Sequence, residues 1–559
     1  MSCAAALPAR SINVPAGSAS LAVASAARSC STVNSGSDIA SMLDAAERAP
    51  FLVKCGMTAS LIFADKLYRA DAIDARARQL GGGLAGLGIE DGDVIAVMLR
   101  NDPVFVDLIR ACRIAGCYYC PINWHFKSEE TGYILRDSGA KAFFVHADLL
   151  PMIADAIPRG LPVLAVRMEN DVAVADRHVI DYDDWLATQT QYSGSPREPR
   201  GHMAYTSGTT GRPKGIRRFV VPPEQRETQQ AVVREVIAAA FGITSGVRML
   251  LPAPLYHSGP SLFAQQAMEQ GDLLVLAERF DAEQTLALIE QHRIETVYLV
   301  PIMYVRLLRL PPAVRDRYDL SSVRFVASTG SPCAPSVKQA MLDWWGPVIY
   351  ETYASSEAGL LTVLDPASAR LKPGSAGKPL ASAEIRILRP DGAACATGEA
   401  GEIYGRHPAY ADFTYQNNPQ ARLAIGRDGL VTVGDVGYVD ADGYLYICDR
   451  ASDMVISGGV NIYPAEIEQV LMTHAGVTDC AVFGIPDEEY GESLVAMVCA
   501  TEGVHLAPGD VRSHLRQRLA DYKVPRRIEI VAELPRDDNG KLAKRKLRDQ
   551  YWSQRGRRI

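Results

Sequence analysis

Long apolar runs are missing from this chain of 559 residues. Although 48% of it is hydrophobic, no stretch approaches the ~18 residues a membrane helix requires, so nothing in the sequence reads as a bilayer span. Positive charge is not in excess either. Acids outnumber bases 65 to 58, a net charge of -7, and a nucleic-acid partner would need a basic face. The basic run Arg555, Arg557, Arg558 reads as a solvated tail. The 11 cysteines are scattered and lack the dense framework of a secreted disulfide scaffold, so a reducing cytoplasm is expected. Cys112, Cys117 and Cys120 form one cluster, but no second pair follows at ligand spacing and Tyr118-Tyr119 reads as strand core, which favours plain thiols over a metal. Acids are also absent before Asp38. That Ala/Ser-rich stretch carries Arg10 and Arg28, and its longest apolar patch, residues 21–27, is short and closed by Arg28. A secretory leader is not expected there. The composition fits a transit peptide, but a loosely docked arm over residues 1–38 is the preferred reading.

A chain of this length exceeds one compact core and should divide into domains. Apolar spacing predicts helices over 39–49 and 70–87, then a strand over 94–99, a helix over 102–115 and a strand over 118–122. The alternation continues with helix 129–138, strand 142–146, helix 280–292 and strand 296–299. It signals a layered α/β architecture with mostly parallel sheets. Past Gly398 the texture changes to short alternating strands with Gly/Asp turns, a small β-rich subdomain. After Arg450 the chain restarts as an α+β unit of about a hundred residues, a domain-sized piece, with helices at 465–473 and 508–519 and strands at 479–483 and 494–500.

Chemistry concentrates first in Tyr205-Thr206-Ser207-Gly208-Thr209-Thr210-Gly211-Arg212-Pro213-Lys214-Gly215. Glycines allow close backbone approach, hydroxyls and N–H groups donate to phosphate oxygens, and Lys214 adds charge: a phosphate-binding loop for ATP. It is not a Walker loop, because Lys214 stands between Pro213 and Gly215 instead of opening a helix after a second Gly. A second dense region follows. A strand over 323–327 closes in Ser328-Thr329-Gly330-Ser331-Pro332, and a strand over 348–350 leads to Tyr353-Ala354-Ser355-Ser356-Glu357. A ring and a carboxylate just past a strand end sit where open α/β sheets bind ligands: Tyr353 to stack on a base, Glu357 to hold a divalent cation. In the β-rich part, Asp435 and Arg450 can pair with each other or take ribose hydroxyls.

In this order the motifs resemble the adenylate-forming superfamily of acyl-CoA synthetases, aryl-CoA ligases, luciferases and peptide-synthetase adenylation domains, over residues 40–550 or so. Five motifs carry the resemblance: the 205–215 loop; Tyr353 to Glu357; Gly434-Asp435; Asp449-Arg450 leading into Ser457-Gly458-Gly459-Val460-Asn461-Ile462-Tyr463-Pro464-Ala465-Glu466; and Gly540-Lys541. The resemblance implies a large N-terminal adenylation domain, residues 39–450, built of two layered α/β subdomains plus a small β-barrel-like one, followed by a small mobile α+β domain, residues 451–559. It implies that Thr206, Ser207, Gly208, Thr209, Thr210 and Lys214 cradle the ATP phosphates. Gly330, Ser331 and Pro332 would line one face of the adenine and Tyr353 the other, with Ser356 near the α-phosphate. Glu357 would hold Mg²⁺, Asp435 and Arg450 the ribose, and Lys541 would be the catalytic lysine of adenylation. Gly458 and Gly459 would face the pantetheine of coenzyme A after the small domain rotates. Three positions depart from the family pattern: Ser452 at the hinge, with Asp453 following, Val433 before Gly434-Asp435, and Ala354.

The segment Pro254-Leu255-Tyr256-His257-Ser258-Gly259 resembles the family's gate to the acyl pocket, with His257 as gate. The pocket walls are expected at 256–263, 301–304 and 326–333. Small residues there, including Gly259, Ser261, Ala327 and Cys333, suggest room for a bulky apolar acid, fatty, aromatic or steroid side-chain. No basic residue stands out to bind a second carboxylate. The expected partners are that acid, ATP, Mg²⁺ and CoA, with a homodimer as candidate assembly. Two rivals stay open: an adenylation enzyme loading a phosphopantetheinyl carrier protein, and a luciferase-like oxidase or inactive binding protein.

Overall fold

A computed structural model describes residues 57–167, 179–195, 197–206, 212–457, 460–536 and 542–552; the helix expected over 39–49 lies outside them. Two open sheets form the bulk. The first has five parallel strands, in the order Tyr118–Pro121, Val94–Met98, Ala142–His146, Val163–Val166, Ile180–Asp181. Val94–Met98 and Ala142–His146 are buried at every position, as continuous apolar strands covered on both faces must be. The following helix, Pro103–Ala115, is started by Asp102, whose carboxylate accepts from Val104 N at 2.9 Å, with proline in the first turn.

The second sheet has nine strands. Its parallel centre runs Ile349–Ser355, Phe325–Ser328, Thr296–Leu299, Arg248–Leu251, Leu273–Leu276, and Gly359–Leu364 adds antiparallel to Ile349–Ser355. One apolar core, including Val97, Phe144, Leu250, Phe263 and Val297, joins the two sheets. The elements expected from spacing are present, with ends shifted by a few residues. One shift matters: the strand expected to stop at Tyr350 continues through Ser355, so Tyr353 lies inside it and not past its end. Antiparallel pairing with Gly359–Leu364 supplies hydrogen bonds that carry the strand onward.

The β-rich part begins at Glu384–Leu388, earlier than composition suggested, and forms an antiparallel sheet with Gly401–Arg406, Gly426–Arg427, Leu430–Val439 and Leu445–Arg450. A three-stranded sheet packs beside it, Tyr205–Thr206, Lys214–Arg218 and Phe413–Tyr415. Ile216, Leu361, Phe413, Tyr415 and Val431 share one small core, so the hairpin bearing the phosphate loop is part of this subdomain. Past Arg450, Val477–Asp487, Gly491–Ala500 and Arg527–Val531 form a further sheet with Val455–Ser457 and Val460–Ile462, covered by helices Pro464–Leu471, Pro508–Arg516 and Lys544–Trp552. Its apolar clusters are its own. No helix among the described residues is long and apolar enough to cross a membrane.

Candidate active site

Cross-strand pairing sets the base of the phosphate loop. Thr206 lies opposite Lys214 and Tyr205 opposite Gly215. Gly215 is required by its neighbour, because a Cβ there would meet the Tyr205 ring at 2.8 Å. The Tyr205 hydroxyl donates to Asp137 Oδ2 at 2.7 Å, and the Tyr133 hydroxyl donates to Pro213 O at 2.9 Å, so both arms are fastened to the helix Ser128–Asp137. Ser207, Gly208, Thr209 and Thr210, expected at the tip, lie outside the described residues.

From that base the polar groups converge on Glu357. Thr206 Oγ1 donates to Glu357 Oε1 at 3.0 Å and the Tyr415 hydroxyl donates to the same oxygen at 3.0 Å. Glu357 is 8% exposed, and the Lys214 ammonium sits 5.3 Å over the Tyr415 ring. Burial, then Glu357 itself, pushes the Tyr415 phenol up, so it stays a neutral donor. Composition did not single out Tyr415, which looks like a strand tyrosine until the three-stranded sheet turns it toward Glu357.

Arg218 was missed for the same reason. Its guanidinium donates to Ser356 O at 2.7 Å, Glu357 O at 3.1 Å and Ala411 O at 2.6 Å, between the rings of Tyr410 and Phe413. Burial draws its pKa down from the usual arginine value. It holds the backbone of the acid-bearing turn, with three carbonyls on its two terminal nitrogens. Lys338, 4% exposed on the helix Pro335–Trp345, is 2.6 Å from Glu351 on the strand Ile349–Ser355.

A second chain of contacts runs outward. The Tyr353 hydroxyl donates to Asp435 Oδ2 at 2.6 Å, and Arg450 Nε lies 3.3 Å from Asp435 Oδ1, with Asp435 and Arg450 paired across their strands. Of the two alternatives for this acid and base, pairing with each other or taking ribose hydroxyls, the pairing is present. Burial and the adjacent Asp435 carboxylate keep the Tyr353 phenol neutral. Ser328 is in register with Glu351, so Gly330-Ser331-Pro332 continues the neighbouring strand at the level of Tyr353. Parallel strands stand about 4.8 Å apart, which puts the expected adenine-lining residues on adjacent strand ends.

The expected acyl wall starts where the Ser258 hydroxyl lies 3.1 Å from the Ser356 hydroxyl. His257 caps the helix Ser258–Gln270, its ring 4.3 Å from that of Tyr256. Ser261 is fully buried and its hydroxyl is 2.9 Å from the Tyr119 hydroxyl, so it is committed to the core as well as being small. Cys333 is buried, as are Cys112, Cys117 and Cys120, all free thiols; His/Cys/Asp/Glu clusters able to hold a metal are absent among the described residues.

In the C-terminal part, Gly458, Gly459 and Lys541 lie outside the described residues, but the flanks of Lys541 are firm. On one side Arg536 donates to both oxygens of Asp479 at 2.7 and 2.6 Å; on the other, half-buried Lys544 is 2.8 Å from Glu468. Burial disfavours the Lys544 charge, yet Glu468 and Asp449 outweigh it and hold its pKa above the usual lysine value. At the expected hinge, Ser452 O accepts from Arg548 at 2.6 Å and Asp453 lies 3.7 Å from the same guanidinium.

A buried carboxylate with two hydroxyl donors at the base of a glycine- and threonine-rich segment, and a tyrosine, acid and arginine joined in series, are groups suited to holding a nucleotide. The model of the family described as AMP-binding enzyme matches residues 59–412, and that of the AMP-binding enzyme C-terminal domain matches residues 466–541. The chain belongs to the AMP-binding enzyme family. It is similar to a feruloyl-CoA synthase of Amycolatopsis sp., 32% identical over 485 residues, 86% of this chain and 93% of that one. It is 29% identical over 501 residues to a fatty acid–[acyl-carrier-protein] ligase of Streptomyces coeruleorubidus, covering 88% and 92%. Among solved structures, the O-succinylbenzoate coenzyme A synthetase of Bacillus subtilis in complex with ATP and magnesium superposes with a TM-score of 0.75 at 28% identity, covering 89% of this chain and 97% of that one. The chain is thus an acid–thiol ligase of the AMP-forming class, with ATP, Mg²⁺ and CoA as the small molecules of its reaction.

Proposed function

We propose that this enzyme activates a hydrophobic carboxylic acid to its acyl-adenylate and transfers the acyl group to coenzyme A, releasing AMP and pyrophosphate. The observation that carries this reading is the convergence of Thr206 and Tyr415 on the buried Glu357 carboxylate, one residue from Ser356, whose hydroxyl meets the acyl wall at Ser258. A carboxylate so placed suits a hard divalent cation: Oε1 already gathers two hydroxyl donors that an ion would displace or share. Mg²⁺ there would offset phosphate charge.

In the first half-reaction a carboxylate oxygen of the acid bonds to the α-phosphorus of ATP as the bond to pyrophosphate breaks. Two anions must approach each other. Thr206, Ser207, Gly208, Thr209, Thr210 and Lys214 hold the phosphates against that repulsion, and Lys541 offsets charge growing on the bridging oxygen. Tyr353, Asp435 and Arg450 fix the nucleoside. In the second half-reaction the thiol, having lost its proton, attacks the acyl carbonyl and AMP leaves with the bonding pair. Gly458 and Gly459 let backbone lie along the pantetheine, and His257 gates the acyl side. The assigned domains, 39–450 and 451–559 with a hinge near Ser452, belong to this same reading, as do cytoplasmic location and a homodimer.

Incubation with a panel of fatty, aromatic and steroid side-chain acids, ATP, Mg²⁺ and CoA, read by mass spectrometry, tests it. Acyl-CoA should form with at least one apolar acid. The likeness to an acyl-carrier-protein ligase favours one second reading, transfer to a carrier-bound phosphopantetheine; acyl-carrier product with no acyl-CoA would establish that instead.

A further inference from the structure

One polar group beside the acyl wall has no work in the scheme above. Tyr298, on the strand Thr296–Leu299, is 1% exposed, its ring packed on Phe241 at 5.9 Å and Phe263 at 5.4 Å, with Ala327 beside it in register. A phenol buried so deeply ordinarily finds a hydrogen-bond partner. Among the described residues this hydroxyl has none, and burial alone raises its pKa, leaving it neutral. The oxygen points at Gly259. A Cβ added there would lie 2.4 Å from it, and Thr329 Cγ2 borders the same space at 3.7 Å. The missing side chain of Gly259 is what admits the hydroxyl to the acyl wall.

The position along that wall follows from the helix. Gly259 succeeds Ser258, whose hydroxyl is 3.1 Å from that of Ser356 in the acid-bearing turn. The Tyr298 hydroxyl therefore sits toward the end of the pocket where the carboxylate reacts, not at its far end. A plain hydrocarbon acid filling this space would seal the phenol away from water with nothing to bond.

We infer that Tyr298 is a specificity-determining residue whose hydroxyl hydrogen-bonds an oxygen substituent near the carboxyl end of the acid, so that the preferred substrates are hydroxy- or oxo-substituted hydrophobic acids. This rests on the acyl-pocket reading proposed above. Tyr119 and Ser261 bond each other and offer the substrate no comparable free donor, and the hydroxyls of Tyr304 and Ser328, which also lack a hydrogen-bond partner, are fully buried.

The test uses the full-length enzyme and the parent acid it turns over best. That parent is compared with two derivatives, one bearing a single hydroxyl or oxo oxygen within three bonds of the carboxyl carbon, the other bearing it at the far end. The near-oxygen derivative should have a kcat/KM about tenfold above the parent, the size of one well-made hydrogen bond. In Tyr298→Phe, which keeps the ring and its packing, that preference should shrink to within about twofold while the parent is turned over at least as well as by wild type. The parent acid thus serves as the folding control. A preference that survives Tyr298→Phe, a preference for the far-end oxygen, or none in the wild type would overturn the assignment of Tyr298 and leave the ligase reading standing. Absence of acyl-CoA and acyl-adenylate from every acid would overturn the ligase reading, and this one with it.

Discussion

The two segments proposed to bring charge to the reacting phosphate are fastened in opposite ways. At the 205–215 loop the anchors are site groups themselves: Thr206 bonds Glu357, Lys214 covers the Tyr415 ring, and Arg218 grips the Ser356 and Glu357 carbonyls. Around Lys541 the anchors, Arg536 with Asp479 and Lys544 with Glu468, are separate from the proposed catalytic lysine. The first arrangement couples binding to local order, since nothing can be removed without disturbing the other members. In the second the anchoring pairs can be altered without touching the proposed catalytic residue, as a group used in only one of two half-reactions would need.

The sharpest way to break this contrast is Lys541→Ala. Adenylation, followed by pyrophosphate release, should fall by 10²-fold or more, the scale for losing a charge that acts on the transition state, while thioester formation from supplied acyl-adenylate stays within a few-fold of wild type. Equal loss in both half-reactions would show the lysine does not act where proposed. Glu357→Gln should come next, cutting adenylation by about 10²-fold and weakening ATP·Mg²⁺ binding. Because Thr206 and Tyr415 lose a charged acceptor, protease cleavage near the loop should rise as well. Unchanged Mg²⁺ dependence in this variant would remove Glu357 from the metal site.

Lys544→Met discriminates the anchors from the tip. It leaves the half-buried Glu468 without its cation, which should cost the C-terminal part about 2 kcal/mol by thermal melting. Adenylation should drop about tenfold through misplacement of Lys541. Thioester formation should fall less, and a larger fall there would mean that Lys544 serves both half-reactions.

How much of this was legible in the sequence depends on what carried the signal. Parallel strands such as Ala142–His146 were readable because burial on both faces forces a continuous apolar run. Thr206, Glu357, Asp435 and Arg450 were readable because their residue types fall in recognisable order. Tyr415 and Arg218 were not, since each acquires its role from strand pairing across some two hundred residues, with Phe413 opposite Arg218. Tyr353 was assigned to a strand end because periodicity stops at Tyr350; antiparallel pairing with Gly359–Leu364, a long-range fact, extends the strand. The unbonded Tyr298 hydroxyl is likewise visible only once Gly259 is seen to face it.

The smallest effect separates the two segments by pH. His202 lies just ahead of the loop, its backbone bridged to Tyr119, and burial together with the nearby Arg218 cation lowers its pKa to about 4. The folded protein therefore keeps the ring neutral where the unfolded chain, with an ordinary value near 6.5, already binds a proton. Since the unfolded state binds more protons, stability is complete above pH 6.5 and declines as the pH falls toward 4. As His202 is only half-buried, the loss is limited to roughly 1–2 kcal/mol, less than the full shift would imply. Protonation puts a cation beside Arg218, so it should loosen the Ser356–Glu357 backbone and leave the Lys544–Glu468 pair intact. Hydrogen exchange between pH 7 and 5, corrected for intrinsic rates, should show lower protection at 214–218 and 355–358 but not at 464–471, and His202→Asn should abolish the difference. Equal loosening of both segments would mean that the low-pH transition is global and that the two are not fastened independently.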